Sequence, residues 1–314
     1  MPESVADLGE FGLIGAVTAR YPQGSGVILG PGDDAAVIAA PDGRMVVTTD
    51  MLVEGRHFRR DWSSAYDVGR KAAAQNLSDV AAMGARPTAV TVAMGAPKDL
   101  DSAWALELAD GLRDECEQVG ASVIGGDTVS AETIILAVSA FGDLDGREPV
   151  LRSGARPGDV LAVCGRLGWA EAGLRVLSRG FTSPRVLVQA HRRPEVPYDA
   201  GPEAADVGAS AMCDVSDGLL ADAGHIAECS GVRISVHSGS LEIPEPMREV
   251  GAALGEDPLQ WVLAGGDDNA LLATFPAELR LPERWRVIGS VVEGAGVDVD
   301  GEPHVGRAGH THFS

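Results

Sequence analysis

Five short segments of this chain place aspartates after apolar runs or in a glycine turn. They are Gly30-Pro-Gly-Asp-Asp34, Val46-Val-Thr-Thr-Asp50, Ser122-Val-Ile-Gly-Gly-Asp127, Ala211-Met-Cys-Asp-Val-Ser-Asp217 and Val262-Leu-Ala-Gly-Gly-Asp-Asp268. Functional side chains of α/β folds gather where strands end and loops begin, because a rigid sheet holds the loops in place. Several carboxylates in one cleft repel each other unless cations are bound between them. Hard oxygen ligands of this kind suit Mg²⁺, which keeps some of its waters and bridges protein carboxylates to substrate phosphates. The chemistry this points to is metal-assisted phosphoryl transfer, with the glycine pairs before Asp127 and Asp267 letting backbone N–H groups come close to phosphate oxygens. Any one of these segments alone also reads as an ordinary Asp–Gly turn, so the argument rests on their recurrence.

The basic residues sharpen this picture. The only lysines are Lys71 and Lys98, followed by Ala and Asp, so the chain has no G-x-x-x-x-G-K-[ST] phosphate loop. Phosphate charge then falls to metal ions and arginine. Arg152, which opens the second half of the chain, is the best-placed candidate, with a solvated surface arginine as the alternative. Asn76 and Asp79 lie three apart on one face of a helix whose neighbours Ala73, Ala74, Val80 and Ala81 suit close packing. A carboxylate facing inward there needs a partner, either a metal or an internal arginine. His57, just past Asp50, is within reach of a substrate, whereas His225 reads as structural and His304, His310 and His312 as a tail. Cys116, Cys164, Cys213 and Cys229 form no C-x-x-C pair and read as buried free thiols. No Ser, His or Cys stands out as an activated nucleophile.

The elements that must position these groups alternate along the chain. Strand-like runs fall at Met45–Thr49, Ala89–Ala93, Ser122–Ile124, Ile134–Phe141, Val160–Val163, Arg233–His237, Leu271–Phe275 and Arg286–Val292. Helices are expected over Ser64–Met83, with Ser64 as N-cap, Asp67 three residues on and Gly84 as terminator, and over Ser102–Val119, Gly168–Arg179 and Gly218–Ser230. Asp298-Val-Asp-Gly301 and Asp143-Leu-Asp-Gly146 lack a full calcium-loop ligand set and read as hairpin turns. Turn residues over Gly142–Pro149 set a domain boundary near residue 147, giving domains 1–147 and 148–314. Each half is expected to begin with strands, continue through a helix and end in strands. Arg192–Pro197 onward reads as a long surface connection.

With 314 residues the chain has length for two domains and a substantial core. Its 46 acidic against 25 basic residues leave a formal charge of −21. That charge repels nucleic-acid backbones and anionic membranes, so neither is an expected partner, and phosphorylated substrates must enter through cations. The N-terminal residues carry no basic start with an apolar core, and no apolar run is long enough to span a bilayer, so the expected location is cytoplasmic.

Taken together, Gly32-Asp-Asp-Ala-Ala36, Thr48-Thr-Asp-Met-Leu-Val-Glu-Gly-Arg-His-Phe58, Asn76-Leu-Ser-Asp79, Ala82-Met-Gly-Ala85, Gly125-Gly-Asp127, Arg152-Ser-Gly-Ala-Arg-Pro-Gly-Asp159, Asp214-Val-Ser-Asp-Gly-Leu219 and Gly265-Gly-Asp-Asp268 resemble the thiamine-monophosphate kinases. The likeness runs in order from Gly9-Glu-Phe-Gly12 to His312-Phe313. It implies a PurM-like α/β (α+β) fold of two domains, of the aminoimidazole ribonucleotide synthetase, hydrogenase-maturation and selenide-dikinase superfamily. In that fold the strands of the N-terminal domain join those of a dimer partner in a barrel, and a second α/β domain follows. It implies a homodimer that phosphorylates thiamine monophosphate to thiamine diphosphate with ATP as co-substrate, by direct transfer with several Mg²⁺ ions and no catalytic nucleophile.

Position by position, the resemblance makes Asp34, Thr48, Thr49, Asp50, Asp79, Asp127, Asp214 and Asp217 metal ligands. It makes Gly126, Asp127, Arg152 and Ser216 ATP contacts, and His57, Asp267 and Phe313 contacts of thiamine monophosphate, the His57 loop coming from the neighbouring subunit. Two departures stand out. Asn269 and Ala270 replace the Tyr-Glu pair that follows the last motif in the family, and Ala109 stands where the family has a tyrosine near adenine. The alternatives are another ATP-using enzyme of the superfamily, such as a formylglycinamidine cyclase or a maturation factor, and a non-enzymatic acidic metal-binding protein. The chain has neither the reactive N-terminal Cys of the selenide enzymes nor the C-terminal Cys of the maturation factors.

Overall fold

The computed structural model describes residues 4–31, 36–304 and 308–310. The chain forms two compact units, one of residues 1–80 and 85–146 and one of 81–84 and 147–314, with a large sheet in each.

The first unit begins with α1 (Val5–Thr18), followed by β1 (Val27–Leu29), β2 (Val37–Ile38), β3 (Val46–Val53), α2 (Ala65–Ala82), β4 (Arg86–Ala96), α3 (Ser102–Glu117), β5 (Ser122–Ser130) and β6 (Ile135–Asp143). The opening helix departs from the expected strand-first order. Its apolar residues have little helical period, but Ser4 and Asp7 form a reciprocal capping box that fixes its start. The same device starts α2, where the Ser64 amide donates to the Asp67 carboxylate at 3.1 Å and the Asp67 amide to the Ser64 hydroxyl at 3.2 Å. Beyond α2, Gly84 adopts the left-handed conformation that ends the helix. The backbones of α2 and α3 touch: a Cβ on Gly69 would lie 2.2 Å from the Leu108 carbonyl oxygen, and one on Gly111 2.2 Å from that of Tyr66.

The sheet of this unit has the order β3-β6-β4-β5, parallel only between β4 and β5, which α3 connects. Its strands run longer than their apolar cores. Pairing with β6 carries β3 through Asp50 to Val53, and pairing with β4 carries β5 through Asp127 to Ser130. Asp50 and Asp127 therefore lie inside strands rather than at their ends, because ladder hydrogen bonds override the local preference of Asp and Gly for turns.

The second unit comprises β7 (Asp159–Cys164), α4 (Trp169–Ser178), α5 (Arg185–Arg192), α6 (Ala200–Val207), β8 (Ala211–Val215), α7 (Leu219–Ser230), β9 (Arg233–Val236), α8 (Glu245–Leu254), α9 (Pro258–Ala264), β10 (Ala270–Pro276), β11 (Arg286–Val292), β12 (Gly296–Val299) and β13 (Glu302–Pro303). Its sheet order is β13-β12-β9-β11-β7-β10-β8. Leu161, Met212, Ile226 and Phe275 are fully buried in this unit, and Phe275 meets Trp285 edge to face at 5.2 Å.

Asp298–Gly301 is a hairpin turn between β12 and β13, with Asp300 and Gly301 both at positive φ. Asp143–Gly146 turns with the same signs of φ at Asp145 and Gly146, but no strand follows to pair with β6, so it is a turn and not a hairpin. The stretch after Arg192 is a seven-residue link to α6 that exposes Glu195 and Asp199 and is anchored by the buried Pro194 and Tyr198. Three cysteines are buried free thiols, but Cys229 is exposed near the end of α7. Among the described residues no helix is long and apolar enough to cross a membrane.

Candidate active site

In the first unit the sequence-predicted ligands meet where β3 faces α2. The Thr48 hydroxyl donates to Asp79 Oδ2 at 2.7 Å. Two residues along, the Asp50 backbone amide donates to Asn76 Oδ1 at 2.9 Å, while Asn76 Nδ2 is tied to the Ala72 carbonyl at 3.0 Å. Asn76, fully buried, thus braces the strand that carries Asp50. One partner of Asp79 is thus the Thr48 hydroxyl. Strand alternation sends Thr49 to the opposite face, where its hydroxyl donates to the Val138 carbonyl and accepts from Ser139. The structure therefore brings Thr48, Asp50 and Asp79 together and leaves the Thr49 side chain apart from them.

Asp127 is exposed, with Oδ1 accepting from the Thr128 amide at 2.8 Å. The glycine before it has a reason the sequence did not show: a Cβ on Gly126 would lie 1.9 Å from the Val92 carbonyl oxygen of the neighbouring strand. Gly126 and Asp127 border a cleft of about 100 Å³ between α1, α3 and the β4–β5 pair, walled by Leu13, Val17, Leu108 and Ala109. Among the described residues its aromatic wall residue is Tyr21, whose hydroxyl is pushed above its ordinary pKa by burial. The His57 loop closes on itself, with the Gly55 amide donating to Phe58 and His57 Nδ1 accepting from the Val53 amide at 2.9 Å. That bond puts the proton of the neutral ring on Nε2.

In the second unit three loops meet at one end of the sheet. Val215, last in β8, pairs with Ala270, first in β10, and Leu271 pairs with Cys164, last in β7. The loops that follow or precede these residues hold Gly165–Gly168, Ser216–Gly218 and Gly265–Asn269. They interlock through backbone: the Asp267 amide donates to the Ser216 carbonyl at 2.8 Å and the Asn269 amide to that of Val215 at 2.9 Å. Glycine is required for this contact, since a Cβ on Gly266 would lie 2.4 Å from the Ser216 oxygen. Asp267 and Asn269 both adopt positive φ, a conformation that Asp and Asn tolerate better than most residues. Asp214 is buried within β8 and Asp217 is half-buried in the loop after it. Arg152 is near enough for its positive charge to act on the carboxyl of Asp222 in α7.

Sequence reasoning missed two residues of this region. Asp268 accepts hydrogen bonds from the amides of Gly168 and Ala170 and caps α4 from a hundred residues away. Complete burial pushes its carboxyl up to about 7, against the pull of those amides. Asp222 accepts from the amides of Asp217 and Gly218, and burial likewise pushes it up to about 7. The doubled Asp after Gly265-Gly266 was visible in the sequence, but nothing local told its half-buried loop member, Asp267, from its capping member, Asp268. His225, read as structural, is exposed on α7, and its ring offers a nitrogen within 4.8 Å of carboxylate oxygens of Asp217 and Asp222. Of the segment read as a tail, residues 308–310 dock, with the His310 amide donating to the Asp217 carbonyl and the Ala308 carbonyl accepting from the Ala221 amide, while His312 lies outside the described residues. Burial pushes Cys164 up to about 11 and Cys213 well above its ordinary value, which keeps both thiols neutral. Asp34 and Phe313 lie outside the described residues.

Fold and site together define a two-unit α/β protein with clustered oxygen-bearing side chains, and residues 32–144 match the family model described as AIR synthase related protein, N-terminal domain. The hydrogenase maturation protein HypE of E. coli shares the fold, with a TM-score of 0.73 at 18% identity over 96% of this chain and 97% of its own. The thiamine-monophosphate kinase of Mycobacterium tuberculosis (strain ATCC 25618 / H37Rv) is 50% identical over 312 residues, 99% of this chain and 93% of that protein. A solved structure described as AaThiL complexed with AMPPCP and TMP superposes with a TM-score of 0.81 at 35% identity, covering 97% of this chain and 98% of its own. The chain belongs to the thiamine-monophosphate kinase family.

Proposed function

We propose that this protein phosphorylates thiamine monophosphate to thiamine diphosphate with ATP as phosphoryl donor, the last step in making that cofactor. The observation that carries this reading is identity along the whole chain to a thiamine-monophosphate kinase, together with the oxygen ligands gathered at Thr48, Asp50 and Asp79. The solved relative complexed with AMPPCP and TMP supports the same donor and acceptor.

Hydroxyl and carboxylate oxygens fit a hard divalent cation such as Mg²⁺. In this reading Asp34, Thr48, Thr49, Asp50, Asp79 and Asp127 hold Mg²⁺ in the N-terminal domain, 1–147, and Asp214 and Asp217 hold it in the C-terminal domain, 148–314. Bound Mg²⁺ neutralises the charge on the transferring phosphoryl oxygens. Gly126, Asp127, Arg152 and Ser216 bind ATP, and the guanidinium of Arg152 supplies cationic charge that the two lysines do not. His57, Asp267 and Phe313 orient thiamine monophosphate.

The acceptor is a phosphate oxygen that already carries negative charge, so no residue has to remove a proton from it. That oxygen forms a bond to the γ-phosphorus as the bond to the ADP oxygen breaks, and ADP leaves with the electron pair. Positioning and charge neutralisation then carry the rate.

The unit of catalysis in this reading is a homodimer in the cytoplasm. One face of the first sheet leaves Val47, Met51 and Val129 more than half exposed, at 59%, 55% and 56%. Such an apolar face suits the strands of a second copy, and closing a barrel with them would cover it. Neither nucleic acid nor membrane is a partner, given the net charge of −21.

The test is a coupled assay for thiamine diphosphate, run beside thiamine and other phosphate acceptors. The expected result is ATP- and Mg²⁺-dependent diphosphate formation from thiamine monophosphate alone. Turnover of another acceptor with none of thiamine monophosphate would overturn the reading.

A further inference from the structure

Asp217 is held through its backbone on both sides. Its carbonyl accepts from the His310 amide at 2.9 Å. Its own amide donates to Asp222 Oδ2 at 3.1 Å, and the next amide, that of Gly218, donates to the same oxygen at 3.0 Å. Asp222 is 2% exposed, so these bonds form away from competing water. The loop cannot settle into another shape easily. Gly218 has a φ of +132°, and a Cβ there would lie 2.9 Å from the Ala264 carbonyl carbon and oxygen. A carboxylate oxygen of Asp222 also lies within 4.8 Å of one on Asp217.

We infer that Asp222 is a positioning residue: by accepting both amides it fixes the Ser216–Gly218 loop so that the Asp217 carboxylate is presented at the metal and nucleotide site. The inference rests on the proposed role of Asp217 as a metal ligand. Partners behind a ligand commonly change metal affinity by about 10–100-fold when removed, because an unbraced ligand must be ordered on binding. Merely capping α7 would give a different result, since loss of a cap lowers stability and leaves metal affinity in the folded protein alone.

The variants D222A, D222N and D217N separate these roles. Binding of Mn²⁺ in the presence of AMPPCP is read by electron paramagnetic resonance, and Mg²⁺ half-activation by steady-state kinetics, both well below the melting temperature. D222A should bind Mn²⁺ about tenfold more weakly and need correspondingly more Mg²⁺, with KM for thiamine monophosphate unchanged. D222N keeps an oxygen that can accept both amides and should stay within about threefold of the parent protein. If D222A does not fold, D222S is measured in its place, because its hydroxyl, one bond nearer the backbone, falls short of the point where Asp222 Oδ2 meets both amides.

Parent-like Mn²⁺ binding by D222A or D222S would overturn the inference and leave a plain helix cap. D222N as weak as D222A would also overturn it, since the charge and not the braced loop would then matter. Parent-like binding by D217N would withdraw the ligand role of Asp217, and the inference with it. Weak binding by D217N beside intact binding by D222A would withdraw the inference alone.

Discussion

Thr48 on β3 and Asp79 on α2, thirty-one residues apart in the chain, share a 2.7 Å hydrogen bond from hydroxyl to carboxylate. One strand residue and one helix residue thus present two hard oxygens side by side, and Asn76 one helical turn earlier holds the strand at Asp50. This pairing brings residues that are scattered in the chain into one oxygen-rich cluster.

Removing the charge at this pair should act on the metal-loaded enzyme and spare the fold. Asp79→Asn is expected to lower kcat by about a hundredfold or more and to raise the Mg²⁺ needed for half-activation. Thr48→Val, which keeps the shape but loses the hydroxyl, should cost about tenfold. Steady-state rates across an Mg²⁺ series check both, and near-normal activity of Asp79→Asn at saturating Mg²⁺ would remove Asp79 from the ligand set.

His57→Ala and Asp267→Ala should raise KM for thiamine monophosphate by about tenfold while KM for ATP changes much less, because binding to one substrate alone is being lost. Varying each substrate at a saturating level of the other separates the two constants. Equal rises for both would mean that these residues shape the wider site.

Stability should carry the mark of Asp268. Its folded carboxyl titrates at about 7 against an ordinary 3.8, so the native chain holds this proton where the unfolded chain has released it. The native state then binds more protons over this range, and the contribution of Asp268 to stability falls as pH rises from about 4 through 7. Asp268→Asn, which cannot ionise and keeps an acceptor for the helix amides, should flatten that part of the profile. Thermal melts of both proteins at pH 5, 6, 7 and 8 check it, and parallel profiles would refute the assignment.

Two neighbouring glycines should respond in different ways. Gly126→Ala puts a Cβ 1.9 Å from the Val92 oxygen, whereas Gly125→Ala meets nothing within 4 Å. Gly126→Ala is expected to destabilise by about 1–3 kcal/mol or more, the range for forced overpacking, and Gly125→Ala by much less. Urea unfolding of the two variants gives the comparison.

Much of the candidate site is legible in the order of residues alone. Asp50, Asp79, Asp127 and the Asp214–Asp217 group announce themselves because charged side chains beside apolar runs and glycine turns are costly to place without a use, and their order along the chain carries the resemblance. The helix from Ser64 to Gly84 is legible because its start and stop signals are local: a capping box and a left-handed glycine act within a few residues. The turn at Asp300-Gly301 is legible for the same reason.

Only the tertiary structure decided the rest, because those features depend on partners far away in sequence. Local composition ends β3 at Thr49, but eight residues of pairing with β6 carry it to Val53 and send Thr48 and Thr49 to opposite faces. Gly126 reads as an approach point for phosphate, yet its need for glycine comes from the Val92 carbonyl of the neighbouring strand. Asp267 and Asp268 are identical in type and adjacent in sequence. What separates them is that Asp268 finds two helix amides near Gly168 while Asp267 stays half-buried in the loop, a distinction created by burial and hydrogen bonding that no single-chain pattern encodes.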